Sequence, residues 1–225
     1  MPMKGSGPAT AFREIDRFDG GVGWISYPDE RMQRASHALT VDGDVWLVDP
    51  VDAEGLDDLL ADLGEVVGVV VLLDRHERDA ASLARRHDVA VHLPTWMKDT
   101  ASGFSVPVEP IRTELADTGY RVRRLLDTPF WKEAALWNDD GTLVVPEAVG
   151  TADYYTTDEE RLGVHPMVRL FPPRRLRGFA PERILLGHGA GITSDTRSTL
   201  DDTLRGSRRR APQLYAETAR ALAPW

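Results

Sequence analysis

Residues 66–94, VVGVVVLLDRHERDAASLARRHDVAVHLP, decide how the rest of the chain is read. The stretch opens with an aliphatic run, residues 66–73, rich in β-branched side chains. It is too short for a membrane span and suits a strand buried on both faces. The run stops at Asp74, and a polar cluster follows: Asp74, Arg75, His76, Glu77, Arg78 and Asp79. Ala80, Leu83, Ala84 and His87 then recur at helical spacing, with Arg85 and Arg86 on the other side. Residues 89–93 form a second strand. The order strand, charged turn, helix, strand predicts an α/β unit. In such units polar groups at the carboxyl edge of the strands carry the chemistry. The same turn also has a plainer reading, a solvated loop in which Asp74 caps the helix.

Composition narrows the classes of function. At 225 residues the chain is long enough for a substantial core, and 42% hydrophobic with 28% charged residues is ordinary for a globular protein. A net charge of -9 argues against nucleic acid or an anionic membrane as the main partner. The one dense basic run, residues 205–210 (RGSRRR), reads as a solvated helix face. With no cysteine, thiolate metal sites, thiol nucleophiles and disulfides are excluded, so any metal must be held by His, Asp or Glu. No segment has the length of a transmembrane helix and the first residues lack a signal-peptide core, so a cytoplasmic location is expected.

Working outward, residues 1–12 are rich in Gly, Ser and Pro and are expected to be flexible, within one domain spanning 1–225. Residues 37–49 read as a hairpin turning at Asp42-Gly43. Asp49-Pro50 ends its second strand, and residues 54–63 follow with Leu56, Leu59, Leu60 and Leu63 at helical spacing. Residues 95–118 look irregular. Residues 120–126 and 133–138 read as strands, Asp139-Asp140-Gly141 as a turn, and residues 142–146 as a buried strand that ends in Glu147. Residues 151–163 read as loop. Residues 183–186 form a last strand running into Gly187-His188-Gly189, whose glycines leave the imidazole projecting from a strand end. Residues 199–222 read as an amphipathic helix, interrupted at Pro212.

Polar groups therefore recur where buried strands stop: Asp49, the 74–79 cluster, the Asp127 region, Glu147 and His188. Carboxylates and imidazoles on one sheet edge suit zinc, manganese or iron. This order of pieces resembles the metallo-β-lactamase-fold hydrolase superfamily over nearly the whole chain. LVDP with Asp49, LLDRHERDA, AASLARRHDVAVHLP, LLDTPFWKEAALW, LVVPEAVG and LLGHG stand where that family has its first Asp turn, its H-x-H-x-D-H loop and following helix, its GHTPGE-like turn, its bridging Asp and its final His.

The resemblance implies an α/β (α+β) four-layer αββα sandwich and a metal-dependent hydrolase of an ester, thioester, lactone or phosphoester, with a metal-activated water as nucleophile. It implies His76, Asp79, Asp127, Glu147 and His188 as candidate metal ligands, with Asp79 also as a candidate catalytic group. The metal loop departs from the family pattern. One register places Arg75, Glu77, Asp79 and Ala80 at the ligand positions; the other places Asp74, His76, Arg78 and Asp79. The GHTPGE histidine becomes Asp127 or Pro129. At most one divalent metal is expected in either register, or none, with Arg75 or Arg78 taking its place against Glu147 or Asp79 and Asp49 bracing the loop. His37, His87, His92 and His165 have no metal spacing and read as surface or packing residues. The alternatives are a non-catalytic binding module that keeps this fold, and a doubly wound domain, which lacks the G-x-G-x-x-G signal it would need.

Overall fold

A computed structural model describes residues 2–222. β1 (Arg13–Phe18), β2 (Gly21–Ile25), β3 (Ala35–Val41), β4 (Asp44–Val48), β5 (Glu65–Val70), β6 (Val91–Pro94) and β7 (Val108–Ile111) form one seven-stranded sheet in sequence order. β1 to β4 are antiparallel and β4 to β7 parallel. The change of direction has a local cause. Asp42 and Gly43, at φ 53° and 92°, make the tight turn of the β3–β4 hairpin. The parallel partners need crossovers: β4 to β5 through α1 (Leu56–Ala61), β5 to β6 through α2 (Ala80–Arg86), and β6 to β7 through two short helical turns at Thr95–Met97 and Thr100–Gly103.

The second half supplies β8 (Arg121–Thr128), β9 (Trp131–Trp137) and β10 (Thr142–Val145), then the short ribbon β11 (Val149–Gly150) with β12 (Gly163–Val164), and finally β13 (Arg183–Leu186). β13, β10, β9 and β8 form a four-stranded sheet in that order. The chain closes with α3 (Thr196–Leu222), which continues through Pro212 instead of breaking there. Its buried Leu200, Leu204, Ala211 and Leu214 anchor it on both sides of the proline.

Alternation along the strands sorts the side chains into layers. Val45 and Leu47 of β4 pack with Val69, Leu56, Leu60, Leu83 and Ala84, under the first pair of helices. The intervening Trp46, Val48 and Val70 face Ala134, Leu136, Val144 and Leu185 across the gap between the sheets. Leu143, Val145, Ile184 and Leu186 point outward from the second sheet to Leu200 and Leu204 of α3. The order is helices, sheet, sheet, helix: the expected αββα sandwich.

Two segments expected to be irregular contain strands: β7 lies within 95–118 and β12 at the end of 151–163. Both are short, four and two residues, so no period marks them, and each pairs with the strand before it across an irregular loop. Residues 2–9 run beside the body of the protein, with Arg31 and Met32 amides donating to Pro2 and Met3 carbonyls and the Glu54 amide to Ala9.

One edge of the sandwich is stitched shut. Beyond β5, residues 71–73 stay buried and reach the second sheet, where the Ala134 amide donates to the Leu72 carbonyl and the Asp74 amide to that of Lys132. Opposite, the Ala35 amide at the start of β3 donates to the Gly187 carbonyl at the end of β13. β10 and β13 run parallel with Val145 beside Leu186, so Glu147 and His188 emerge side by side.

Candidate metal centre

His76, Glu147 and His188 meet at this edge, each buried, with one ligand atom apiece and all three atoms within 4.8 Å of one another. His76 comes from the turn after β5, Glu147 from the end of β10 and His188 from the end of β13. Gly187 permits the approach of those last two segments, since a Cβ on it would stand 2.1 Å from the Pro146 carbonyl oxygen. Gly189 turns the chain away at φ 82°.

Each imidazole is oriented by a partner on its Nδ1. His76 Nδ1 donates to Asp49 Oδ2 at 2.9 Å, and His188 Nδ1 donates to the Met32 carbonyl at 2.8 Å. Both rings are thereby held as the tautomer whose Nε2 lone pair faces Glu147. His76 Nε2 lies 3.4 Å from Glu147 Oε2. His188 Nε2 is buried and has no hydrogen-bond partner among the described residues. A buried acceptor left unmet costs about 1–3 kcal/mol, and a second partner holding the far ring nitrogen is the usual support of a metal-binding histidine.

Cations and a further histidine surround this group. The Arg75 Nε stands 3.4 Å from Glu147 Oε2, with its guanidinium 4.0 Å over the Trp131 ring. Arg78 is buried deeper. Its Nη1 donates to the carbonyls of Ala35 and Asp49 at 2.6 and 2.7 Å, and its Nη2 donates to Gly187 at 3.1 Å and to His76 Nε2 at 3.3 Å. Asp49 and Arg78 both hold left-handed backbone, φ 45° and 40°. For non-glycine residues that conformation is strained, and strain of this kind gathers at functional sites. His165 Nε2 approaches Glu147 Oε1 at 3.3 Å, while its Nδ1 accepts from the Met167 amide.

Burial governs the electrostatics. It would raise the Glu147 pKa, but the neighbouring His76, His188 and Arg75, the imidazoles in their protonated form, outweigh it and hold the carboxyl well below its usual range. Burial depresses His188 strongly, helped by Arg78, and takes His165 down to about 4. Behind the site, burial lifts Glu133 to about 7 even though its Oε1 accepts from the Glu147 and Ala148 amides and its Oε2 from the Trp131 indole.

Not every expected ligand belongs to the cluster. Asp127 lies on β8, exposed, paired with Arg124 at 2.8 Å, so the β8–β9 hairpin brings no ligand. The residue it does send inward is Glu133, from β9. Asp79 turns to the other side of the metal loop: its Oδ2 accepts from the Asp52 amide at 2.9 Å, bracing the start of α2. Asp79 is not among the three residues whose ligand atoms meet. Of the two registers of the metal loop, the one containing Asp74, His76, Arg78 and Asp79 is the one that brings a residue, His76, into the cluster. Asp74 itself accepts from the Lys132 amide, and Asp49 braces the loop through His76 and the Leu72 amide. His165, read from the sequence as a surface or packing residue, does pack edge-on against Trp131, Tyr154 and Tyr155, and its Nε2 also reaches Glu147. The signal available for it was slight, a His-Pro step directly after the buried Val164.

No protein-family model matches this sequence, and no curated protein matches it either. Solved structures do. The DIM-1 metallo-β-lactamase matches with a TM-score of 0.64 at 12% identity, covering 90% of this chain and 99% of that one. The chain has the metallo-β-lactamase fold. A metallo-β-lactamase from Pontibacter korlensis matches at 0.62 and 12% identity, over 88% of this chain and 99% of that one. A fragment of a diflavin flavoprotein from Nostoc sp. matches at 0.65 and 10% identity, over 90% and 98%. At such identities the likeness concerns the metallo-β-lactamase fold itself, and the chemistry must be argued from the residues above.

Proposed function

We propose that the protein is a hydrolase working with one divalent metal ion, held by the imidazoles of His76 and His188 and the carboxylate of Glu147. One observation carries this reading: the buried, unpartnered Nε2 of His188, aimed at the same point as His76 and Glu147. Two imidazoles and a carboxylate suit zinc, manganese or iron. A bound ion would supply Lewis acidity toward a carbonyl or phosphoryl oxygen and activate water near neutral pH.

The rest of the work falls to this chain's own groups. Asp49 and the Met32 carbonyl fix the tautomers of the two histidines. His165 faces one oxygen of Glu147 and Arg75 the other, which fixes the orientation of the carboxylate. Arg78 stays cationic at any ordinary pH and stands against His76, so its charge occupies the region a second ion would need. A one-ion site follows. Arg75 is the most exposed of these groups, with 38% of its side chain accessible. There it can receive an anionic group of a substrate, an ester, thioester, lactone or phosphoester. The competing reading, a metal-free module keeping the fold, is favoured by one contact, the Arg75–Glu147 pair that already neutralises the carboxylate.

The discriminating experiment is elemental analysis of protein purified without chelator, with titration by zinc, manganese and ferrous iron. One ion per chain, lost in His188→Ala and Glu147→Ala, supports the proposal. No binding in the micromolar range by any of the three favours the metal-free module. Two tightly bound ions would overturn the role given to Arg78.

A further inference from the structure

A groove of about 590 Å³ lies between the outer edge of β8, the turn at 171–177 and α3. It is remote in character from the metal centre. Leu126 and Leu204 line its floor, and Phe171, 77% exposed, stands beside them. Five arginines line the rest: Arg174, Arg175, Arg177, Arg205 and Arg208. No carboxylate belongs to the lining among the described residues. In a chain of net charge -9 this is a local inversion, five of 27 basic residues in one cleft.

The arginines come from two elements. Arg205 and Arg208 stand three residues apart on α3, so they share one helix face. The others come from the proline-rich turn, where Pro172 and Pro173 restrict the backbone and hold the guanidinium groups near one another. Some are partly engaged: Arg205 pairs with Asp201 at 3.0 Å, Arg175 donates to the Arg124 carbonyl and Arg208 to that of Leu170. Arg208 also lies over the Phe171 ring. Arg174 and Arg177 are exposed and show no acceptor among the described residues. Like charges gathered this way repel, and a bound anion relieves the repulsion.

We infer that this groove binds a free amphiphile of small-molecule size, a single acyl or alkyl chain ending in a carboxylate or phosphate. The volume falls in the range of small-molecule sites, and such sites combine an apolar lining with a few placed polar groups. Guanidinium forks match carboxylate and phosphate oxygens in pairs. Leu126, Leu204 and the Phe171 ring receive the chain. An anionic bilayer fits less well, since the acidic remainder of the surface would be held against like charge.

The test is calorimetric titration with dodecyl phosphate below its micelle concentration, at low ionic strength. Saturable binding of one molecule per chain is expected, weakened tenfold or more in Arg174→Ala/Arg177→Ala, weakened also in Phe171→Ala, and unchanged in Glu147→Gln. The side chains substituted in the groove variants, Phe171, Arg174 and Arg177, are exposed, and melting curves of those variants should overlay the wild type. Equal affinity in the double variant overturns the inference. So does equal binding of inorganic phosphate or dodecyltrimethylammonium, binding only to phosphatidylglycerol vesicles, or loss of binding in Glu147→Gln. None of these results bears on the metal titration, so the two proposals fail separately.

Discussion

His76 Nδ1 and Asp49 Oδ2 are 2.9 Å apart, and the same carboxylate receives the Leu72 amide on its other oxygen. One buried acid thus fixes both the last turn of chain leaving β5 and the orientation of the ring that follows it. Asp49→Ala leaves two buried donors unmet, at about 1–3 kcal/mol each. A loss of roughly 3 kcal/mol is expected, which for a chain of this size lowers Tm by about 6–12 °C. Asp49→Asn keeps an acceptor for Leu72 but offers the wrong group to His76. It should retain more stability while weakening metal binding about 10–100-fold. Thermal melts and metal titrations of the two variants separate these effects.

Arg78 holds together three carbonyls from β3, the end of β4 and the end of β13. Replacing it with Met keeps volume but removes every donor. Stability should fall by roughly 3 kcal/mol, the cost of leaving buried acceptors unpaired. Removing a cation beside His76 should at the same time raise zinc affinity. Urea unfolding and a competitive chelator assay measure the two. A variant that loses zinc affinity along with stability would contradict the place given to Arg78.

Glu133 accepts the Glu147 and Ala148 amides and the Trp131 indole from a fully buried position. Glu133→Ala should destabilise by about 3 kcal/mol, because three donors lose their acceptor. It should also loosen Glu147, so metal affinity falls although Glu133 is no ligand. Glu133→Gln preserves one oxygen for the two amides and should recover part of both losses.

The pH dependence follows from His165. Burial depresses its folded pKa to about 4 from the ordinary histidine value of 6.5, so between those values the unfolded chain binds the proton and the native site does not. Stability contributed by neutral His165 is therefore present above pH 6.5 and lost as pH falls toward 4, by about 3 kcal/mol at most. His188, depressed in the same direction, adds to the loss, while the raised Glu133 acts oppositely. A comparison of metal-free wild type with His165→Asn cancels both. The stability difference between them should shrink between pH 7.5 and pH 4. A difference constant across that range would count against a buried, neutral His165.

The layers of this fold are legible in the sequence because they rest on local physics. Residues 66–73 read as a buried strand, Asp42-Gly43 as a hairpin turn and residues 183–186 as a strand delivering His188, and each reading needs only neighbours along the chain. The strand ends at Glu147 and His188 follow from the same patterns. What failed did so where a side chain had a choice of partners. Asp79 and Asp127 had the right chemistry in the right order, yet Asp79 found the Asp52 amide and Asp127 found Arg124.

The site itself belongs to the tertiary structure. His165 sits in a proline-rich loop with no period to read, and only the β11–β12 ribbon brings it to Glu147. Glu133 looked like an ordinary strand residue until β9 met the end of β5 through the Leu73 bridge. The sequence determined which residues stand at strand ends, because hydrophobic alternation is set by the chain's own geometry. Which of those residues face one another was decided by the closing of two sheets, since a carboxylate or imidazole takes its role from the partner that burial leaves within reach.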